Sequence, residues 1–506
     1  MPRYGFAIDL KKCIGCHACT IACKSEHDIP VGSHRCWVKT VEKGEFPQAR
    51  RLFFPVLCNQ CADAPCMNIC PTGALFRRRD GIVDLNGAAC IGCRACMVAC
   101  PYDQLFIDPN THTAEKCNFC ANRVENELLP ACVSVCPTEC RIFGDLDDPT
   151  SEVAQITQRE SFMVRKPEKG TGPKILYLGA DESVIRPEIA VRPFMFREGQ
   201  VALRPIGSPE PDPYQPGAPR VDYDVPHKKA WGFDLALYLL FKGISTGAMF
   251  LSALLWLLGD ESWLTGFAGP LISVVFAMAT AFVLVIDLEQ PKRFLYILTR
   301  PNWSSWLARG AFLITGHSGL ASLWLFLYWM GWTSFLPWIA PFAMVMAIAA
   351  TGYTGLLFAQ ARARDLWQGP HATIDLLAQA AVEGAAAMLI AATFVGGSAS
   401  TRTLAMTIAV GALAHVVILL AEHVFTPSAN LGHDLAVRAI RSGPYATLFW
   451  FGAIGLGGFA PILLVASAAG SAFAAELGIA AAVTALVGGF AWEYIWVEAG
   501  QSVPNS

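Results

Sequence analysis

The sequence predicts two domains of different class in one chain. An α+β domain occupies residues 1–180, and an all-α bundle of eight transmembrane helices occupies residues 231–506, with a proline-rich linker at 181–230 between them. Three observations carry this reading. All 18 cysteines lie between Cys13 and Cys140. The 54% apolar content is unevenly spread: residues 1–230 are polar and rich in Cys, Pro and charge, whereas residues 231–500 are apolar and nearly uncharged outside short loops. From Trp231 onward, apolar stretches of bilayer-spanning length recur. A chain of 506 residues is expected to hold more than one domain. A net charge of −3 offers nothing for nucleic acid to bind.

Sixteen of the cysteines fall into four groups of four. The first is Cys13, Cys16, Cys19 and Cys23; the second is Cys58, Cys61, Cys66 and Cys70. The third is Cys90, Cys93, Cys96 and Cys100; the fourth is Cys117, Cys120, Cys132 and Cys136. The first and third have the spacing C-x2-C-x2-C-x3-C of bacterial ferredoxins, in which three thiolates on a tight loop grip one cubane and the fourth reaches the neighbouring cluster. The other two stretch one spacer but keep the C-x3-C ending. Residues 5–145 are therefore expected to form two ferredoxin-like halves, each with two clusters, giving four [4Fe-4S] clusters in a row. Structural zinc is usually held by two separated pairs, not by this run followed by Pro. A disulfide framework needs an oxidising compartment, and MPRYGFAIDLKKC has no apolar signal core. Cys36 and Cys140 are left without a role.

Within this half, GIVDLN at 81–86 alternates apolar and polar residues as a short strand does. Arg77, Arg78 and Arg79 just before it are expected to line a solvated loop. Asp148-Pro149-Thr150-Ser151 predicts a turn into a helix capped by Ser151 or Thr150. Residues 181–226 carry many prolines and little periodicity, which predicts an extended linker, ordered only where it lies on something.

Eight membrane spans are expected near 233–258, 267–288, 308–330, 337–360, 374–396, 403–424, 446–468 and 474–497. Loop charge gives their orientation. Lys228, Lys229, Lys292, Arg293, Arg300, Arg309, Arg362, Arg364, Arg438 and Arg441 lie on the side shared with the N-terminus, and only Arg402 lies opposite. The expectation is a multi-pass protein of the inner (cytoplasmic) membrane with the cysteine domain and both termini in the cytoplasm.

Ionisable groups at membrane depth are costly and mark function. Lys242, His317, Tyr353, Glu383 and His415 each lie about seven to ten residues from the cysteine-domain end of their spans, roughly 10–15 Å deep. Asp287, Glu422, His423 and Glu493 stand at span ends, with Asp287 and Arg293 read as an interfacial ion pair. A polar layer in the membrane half nearest the clusters suits a quinone headgroup. Its carbonyls need hydrogen-bond donors and then protons, from a site close to an electron donor.

Residues 5–180, through the four cysteine groups and Phe143-Gly144-Asp145-Leu146-Asp147-Asp148-Pro149, resemble the four-cluster iron–sulfur subunit of the dimethyl-sulfoxide-reductase and polysulfide-reductase type. In that family the first group pairs with the fourth and the second with the third. The resemblance thus implies clusters held by Cys13, Cys16, Cys19 and Cys136; by Cys117, Cys120, Cys132 and Cys23; by Cys58, Cys61, Cys66 and Cys100; and by Cys90, Cys93, Cys96 and Cys70. No group has lost a cysteine, so no [3Fe-4S] centre is implied. Residues 231–506 are similar to the NrfD-type family of quinone-reacting membrane subunits, through Asp287-Leu288-Glu289-Gln290-Pro291-Lys292-Arg293-Phe294, Arg300-Pro301-Asn302, Ser304-Ser305, Tyr353-Thr354-Gly355 and Ala499-Gly500-Gln501. That resemblance points to Lys242 and Tyr353 for the quinone pocket.

Nothing in the chain reads as a pterin or nucleotide domain. The expected function is electron transfer between a separate molybdopterin-containing catalytic subunit and a membrane quinone, menaquinone or ubiquinone. The expected direction is from substrate to quinone, as in sulfite or phenylacetyl-CoA oxidation. The alternatives are a redox-driven proton-translocating module, a quinol-oxidising subunit of a reductase, and a transporter with a redox-sensing domain.

Overall fold

The strands of the soluble half run β1 (Tyr4–Asp9), β2 (Cys36–Gly44), β3 (Arg50–Leu57), β4 (Leu75–Arg77), β5 (Val83–Leu85), β6 (Phe106–Ile107), β7 (Ala114–Glu115), β8 (Arg141–Asp145), β9 (Phe162–Met163), β10 (Ile175–Leu178) and β11 (Gly217–Tyr223). Between them lie short helices: α1 (Ala18–Glu26), α2 (Pro65–Ile69), α3 (Ala95–Ala99), α4 (Ala121–Val124), α5 (Ala131–Ser134) and α6 (Glu152–Arg159). The computed structural model describes residues 2–190, 217–369, 371–395, 400–469 and 471–506. Most of the proline-rich segment, 191–216, lies outside the described residues.

The main sheet has the order β8-β1-β10-β9, with β1 antiparallel to β8 and parallel to β10. Strand β1 is buried on both faces because side chains alternate across a strand. Phe6 and Ile8 enter the core that holds the first cysteines, while Ala7 packs with Ile142 and Val153 under α6. A second sheet, β11-β2-β3, is antiparallel. The last part of the linker region is thus a strand lying on the cysteine domain. The apolar alternation at 81–86 is β5, paired with β4 in a hairpin.

Two local expectations need correction. Arg77 and Arg78 are not in a solvated loop. Arg77 donates to the carbonyls of Cys61 (2.9 Å) and Ala62 (2.7 Å), and Arg78 pairs with Asp80, Asp84 and Glu125. Ser151 stands at the start of α6 but its hydroxyl does not cap it; Asp148 instead accepts from the N–H of Thr150 at 2.8 Å.

Among the described residues, the second half holds eight helices long and apolar enough to cross a membrane: Phe233–Leu257, Leu264–Ile286, Trp306–Trp329, Thr333–Gln360, Ala372–Phe394, Thr401–Phe425, Leu448–Ala468 and Ala474–Gly500. The first is the most enclosed, 78% buried, so polar groups on it face protein, not lipid. It crosses the fifth closely because both carry small residues. A side chain on Gly247 would strike the Ala380 carbonyl, and one on Gly384 would strike the backbone of Gly247. Apolar side chains such as Phe282, Phe342 and Phe451 point outward.

The cysteine domain sits where odd-numbered spans begin and even-numbered spans end. Asn302 donates to the carbonyls of Met67 (3.2 Å) and Cys70 (2.8 Å), and Ser305 to that of Ile69 (2.6 Å). Asp287 and Arg293 do not pair with each other as expected. Arg94, beside Cys93, pairs with Asp287, while Arg293 donates to the carbonyls of Gly87 (2.7 Å) and Cys90 (2.9 Å). Burial of Asp287 between the two halves pushes its carboxyl above the usual range, against the pull of Arg94. Gly92 has φ +72°, and a side chain there would meet Glu289. The docked loop therefore requires glycine. Farther along, Arg165 and Lys166 each donate to Asn505 at 2.7 Å, which latches the cysteine domain to the segment after the eighth span.

Candidate functional site

The cysteine loops follow from backbone conformation. In CIGCHAC and CIGCRAC, Gly15 and His17, and equally Gly92 and Arg94, adopt positive φ. This curls each loop so that three sulphurs face inward before a short helix starts. Helix α1 packs on α5 and α2 on α3. That packing carries the fourth cysteine of each group to its partner loop. Cys70 lines one cavity with Cys90, Cys93 and Cys96, and Cys136 lines another with Cys13, Cys16 and Cys19. Cys23 faces Cys120 and Cys132, which in turn neighbour Cys117, and Cys100 faces Cys58, Cys61 and Cys66. The crossed pairing implied by the resemblance is the arrangement of the sulphurs.

These quartets suit a cationic group larger than one ion. Burial, reinforced by neighbouring sulphurs, pushes the thiols of Cys61, Cys93 and Cys100 up to about 12. Left alone they stay protonated; iron would draw off the protons and hold thiolates. Backbone N–H groups of Ala114 and Phe119 point at the sulphurs of Cys90 and Cys117, each at 3.4 Å. Arg141 is fully buried with Nε and Nη1 unpartnered, close to Cys19, Cys36 and Cys132. Such a cation suits an anionic iron–thiolate group. Among the described residues no three His, Cys, Asp or Glu side chains converge as they would around a single ion.

The quartet of Cys70, Cys90, Cys93 and Cys96 lies against the membrane half. Its loop accepts a hydrogen bond from Trp231 Nε1 at the Cys93 carbonyl (3.2 Å). One continuous apolar core runs from these cysteines through Trp231, Tyr238, Leu239, Tyr353 and Phe358. On the first span, Tyr238 and Lys242 are one turn apart and share a face. The Tyr238 and Tyr353 hydroxyls meet, Lys242 donates to Thr354 Oγ1, and its ammonium lies 5.1 and 5.5 Å from the two tyrosine rings.

The five polar groups expected to form a layer do not form one cluster. Lys242 and Tyr353 are together. His317 is separate, with Nε2 at 3.1 Å from Ser245 and 3.2 Å from Ser273. His415 pairs with Asp375 at 2.6 Å. Glu383 lies between these groups: it rests on Gly243 and Gly489, within electrostatic reach of Lys242, Glu493 and Asp375. Both its carboxylate oxygens are buried without a hydrogen-bond partner, as are Oε2 of Glu493 and Nε2 of His415. Small cavities touch this chain of groups, one lined by Gln379, Glu383 and His415 and another by Asp375, Glu422 and Glu493.

Sequence reasoning missed Tyr238, Thr354 and Asp375. Asp375 accepts from Gln379 (2.7 Å) and Trp492 (3.0 Å) besides His415. Its signal was present: Asp375, Gln379 and Glu383 recur every four residues, a polar stripe down one face of an apolar helix.

Comparison with known proteins agrees with both halves. Residues 49–146 match the family described as 4Fe-4S dicluster domain, and residues 224–505 match Polysulphide reductase, NrfD. A tetrathionate reductase subunit from Salmonella typhimurium is 43% identical over 189 residues, 37% of this chain and 76% of that protein. Protein NrfC of Escherichia coli K12 is 44% identical over 176 residues, 34% of this chain and 79% of that protein. A polysulfide reductase component from Wolinella succinogenes is 40% identical over 176 residues, 34% of this chain and 92% of that protein. With the cysteine quartets and, among its described residues, eight helices of membrane-spanning length in one polypeptide, the chain belongs to the NrfD polysulphide reductase family, with a 4Fe-4S dicluster domain fused ahead of the membrane domain.

Proposed function

We propose that this chain is the electron-transfer and quinone-reacting subunit of an oxidoreductase complex, with substrate chemistry on a separate molybdopterin-containing subunit. Four [4Fe-4S] clusters are held by the four crossed quartets, and a quinone binds beside Tyr238, Lys242, Tyr353 and Thr354. The observation that carries this is the seating of the Cys70–Cys90–Cys93–Cys96 quartet on the membrane half, through Trp231 and Asn302. Lys242 lies nine residues into the first span, on the order of 14 Å from its start just after Trp231. Tyrosine and lysine donate hydrogen bonds to the quinone carbonyls, and Glu383, Glu493, Asp375 and His415 supply protons from the same side. The catalytic partner docks at the opposite end, where Cys16 is exposed and Ile14, Ile21, Leu128, Leu129 and Val135 present apolar surface around α1 and α5.

Electrons run from quinol to the partner or from the partner to quinone through the same parts. Two of the relatives above are named as reductase components, which supports the quinol-oxidising direction over the substrate-oxidising one expected from the sequence. A transmembrane proton path has less support. Beyond Glu383, the spans carry no Asp, Glu, His or Lys toward the far side until Glu476 at the start of the eighth.

The test is quinone reaction in Tyr353→Phe and Lys242→Leu, with low-temperature EPR in parallel. Loss of quinone reaction with four [4Fe-4S] signals retained is the expected result; unchanged turnover in both variants overturns the pocket.

A further inference from the structure

In the proposed row of clusters the outer quartet, at the end away from the membrane domain, has five sulphurs lining its cavity, Cys13, Cys16, Cys19, Cys136 and Cys140, against the four that line the cavity of Cys70, Cys90, Cys93 and Cys96. Cys140 Sγ lies 3.5 Å from Cys136 Sγ. It also hydrogen-bonds Cys13 across the same cavity. Cys140 thus sits between the three-cysteine loop and the cysteine expected to complete it.

The two candidates for the fourth position are anchored differently. Cys136 follows α5 in a turn held locally, its N–H donating to the Val133 carbonyl at 3.0 Å and its own carbonyl accepting from the N–H of Glu139 at 3.3 Å, and is only partly buried. Cys140 is 3% exposed and immediately precedes β8, where its carbonyl accepts from the N–H of Asp9 at 2.9 Å. The end of β1 therefore fixes the backbone that aims this sulphur into the cavity. Arg141, the next residue, adds a buried cation beside the cavity, with Nε and Nη1 unpartnered. The other leftover cysteine has a different placement. Cys36 accepts from Arg141 Nη2 at 3.2 Å and does not line the cavity.

We infer that Cys140 is an alternative fourth thiolate ligand of the outer cluster, able to complete the site in place of Cys136. The inference rests on the reading that the quartets hold [4Fe-4S] clusters. The balance is simple: the sulphur that binds iron gives up its proton, and the sulphur left free keeps one, so the net charge of the site is the same with either ligand.

The experiment uses the full-length chain with Cys136→Ala, Cys140→Ala, the double variant and Cys13→Ala. It reads iron and sulfide per chain and low-temperature EPR of reduced and oxidised samples. Each single variant at 136 or 140 is expected to keep the iron content of the unaltered chain, with the Cys136→Ala signal shifted in g value or midpoint potential. The double variant is expected to lose the outer cubane or to show an oxidised [3Fe-4S] signal. If Cys136→Ala alone loses as much iron as the double variant, Cys140 is not a ligand. A different failure marks the underlying reading: an unaltered chain without cubane signals, or a Cys13→Ala variant with all of them intact, would remove the cluster itself.

Discussion

Trp231 donates its indole N–H to the main-chain carbonyl of Cys93 at 3.2 Å. This hydrogen bond joins the cysteine loop nearest the membrane to the residue that leads into the first span. The ring itself stacks on Trp367, with centroids 5.9 Å apart. Trp231→Phe therefore keeps much of the packing and removes the donor. A buried carbonyl left unpaired costs about 1–3 kcal/mol. The variant should melt at lower temperature in detergent with its iron content unchanged. Identical melting would mean that the bond contributes nothing to docking.

Glu383→Gln keeps the shape of the buried side chain and removes its proton. Positioned proton transfer contributes about 100-fold or more. Quinone turnover should fall by about that factor while reduction of the clusters by dithionite proceeds as before. Stopped-flow optical measurement separates the two. Turnover at the unaltered rate would take Glu383 out of proton delivery.

His34 supplies a pH dependence. Burial, with help from the charges of Lys24 and His227, lowers its pKa to about 4 from 6.5. The folded state thus holds the neutral ring where the unfolded chain would protonate it. This contribution to stability is full above about pH 6.5 and is lost as pH falls toward 4. The ring is only half-buried, so the loss is on the order of 1–2 kcal/mol. Melting curves from pH 7 to pH 4 should fall less steeply in His34→Gln; parallel curves would refute the assignment.

Reporter fusions decide the side of the membrane. A green fluorescent protein joined after Ser506 should fluoresce, and alkaline phosphatase at the same place should stay inactive, if the cysteine domain faces the cytoplasm. The reverse pattern would put the clusters outside.

The cysteine quartets were legible because their spacing reflects a loop conformation, and the loops are local. The spans were legible because a bilayer imposes length and hydropathy on each helix separately. Docking was not legible. Of the ten cations that oriented the helices, Arg293 holds the carbonyls of Gly87 and Cys90, Arg362 pairs with Asp63 at 2.5 Å, and Arg364 faces Asp103 at 3.5 Å. Those charges serve a domain interface as well as topology, and only the folded chain separates the two uses. The polar layer was half legible. Depth along each helix follows from counting, but which groups meet depends on the close crossing at Gly247 and Gly384. That crossing seats Glu383 beside Lys242 and leaves His317 with Ser245 and Ser273.

The latch of Arg165 and Lys166 on Asn505 orders the biosynthesis of the chain. A ribosome releases the two cations 340 and 339 residues before their acceptor, so the soluble half emerges with the latch open. Closure waits until the eighth helix has entered the bilayer. Exposed cations at 165 and 166 therefore mark a nascent chain, and their burial marks a finished one. Maturation can be followed by asking when a protease loses access to that bond.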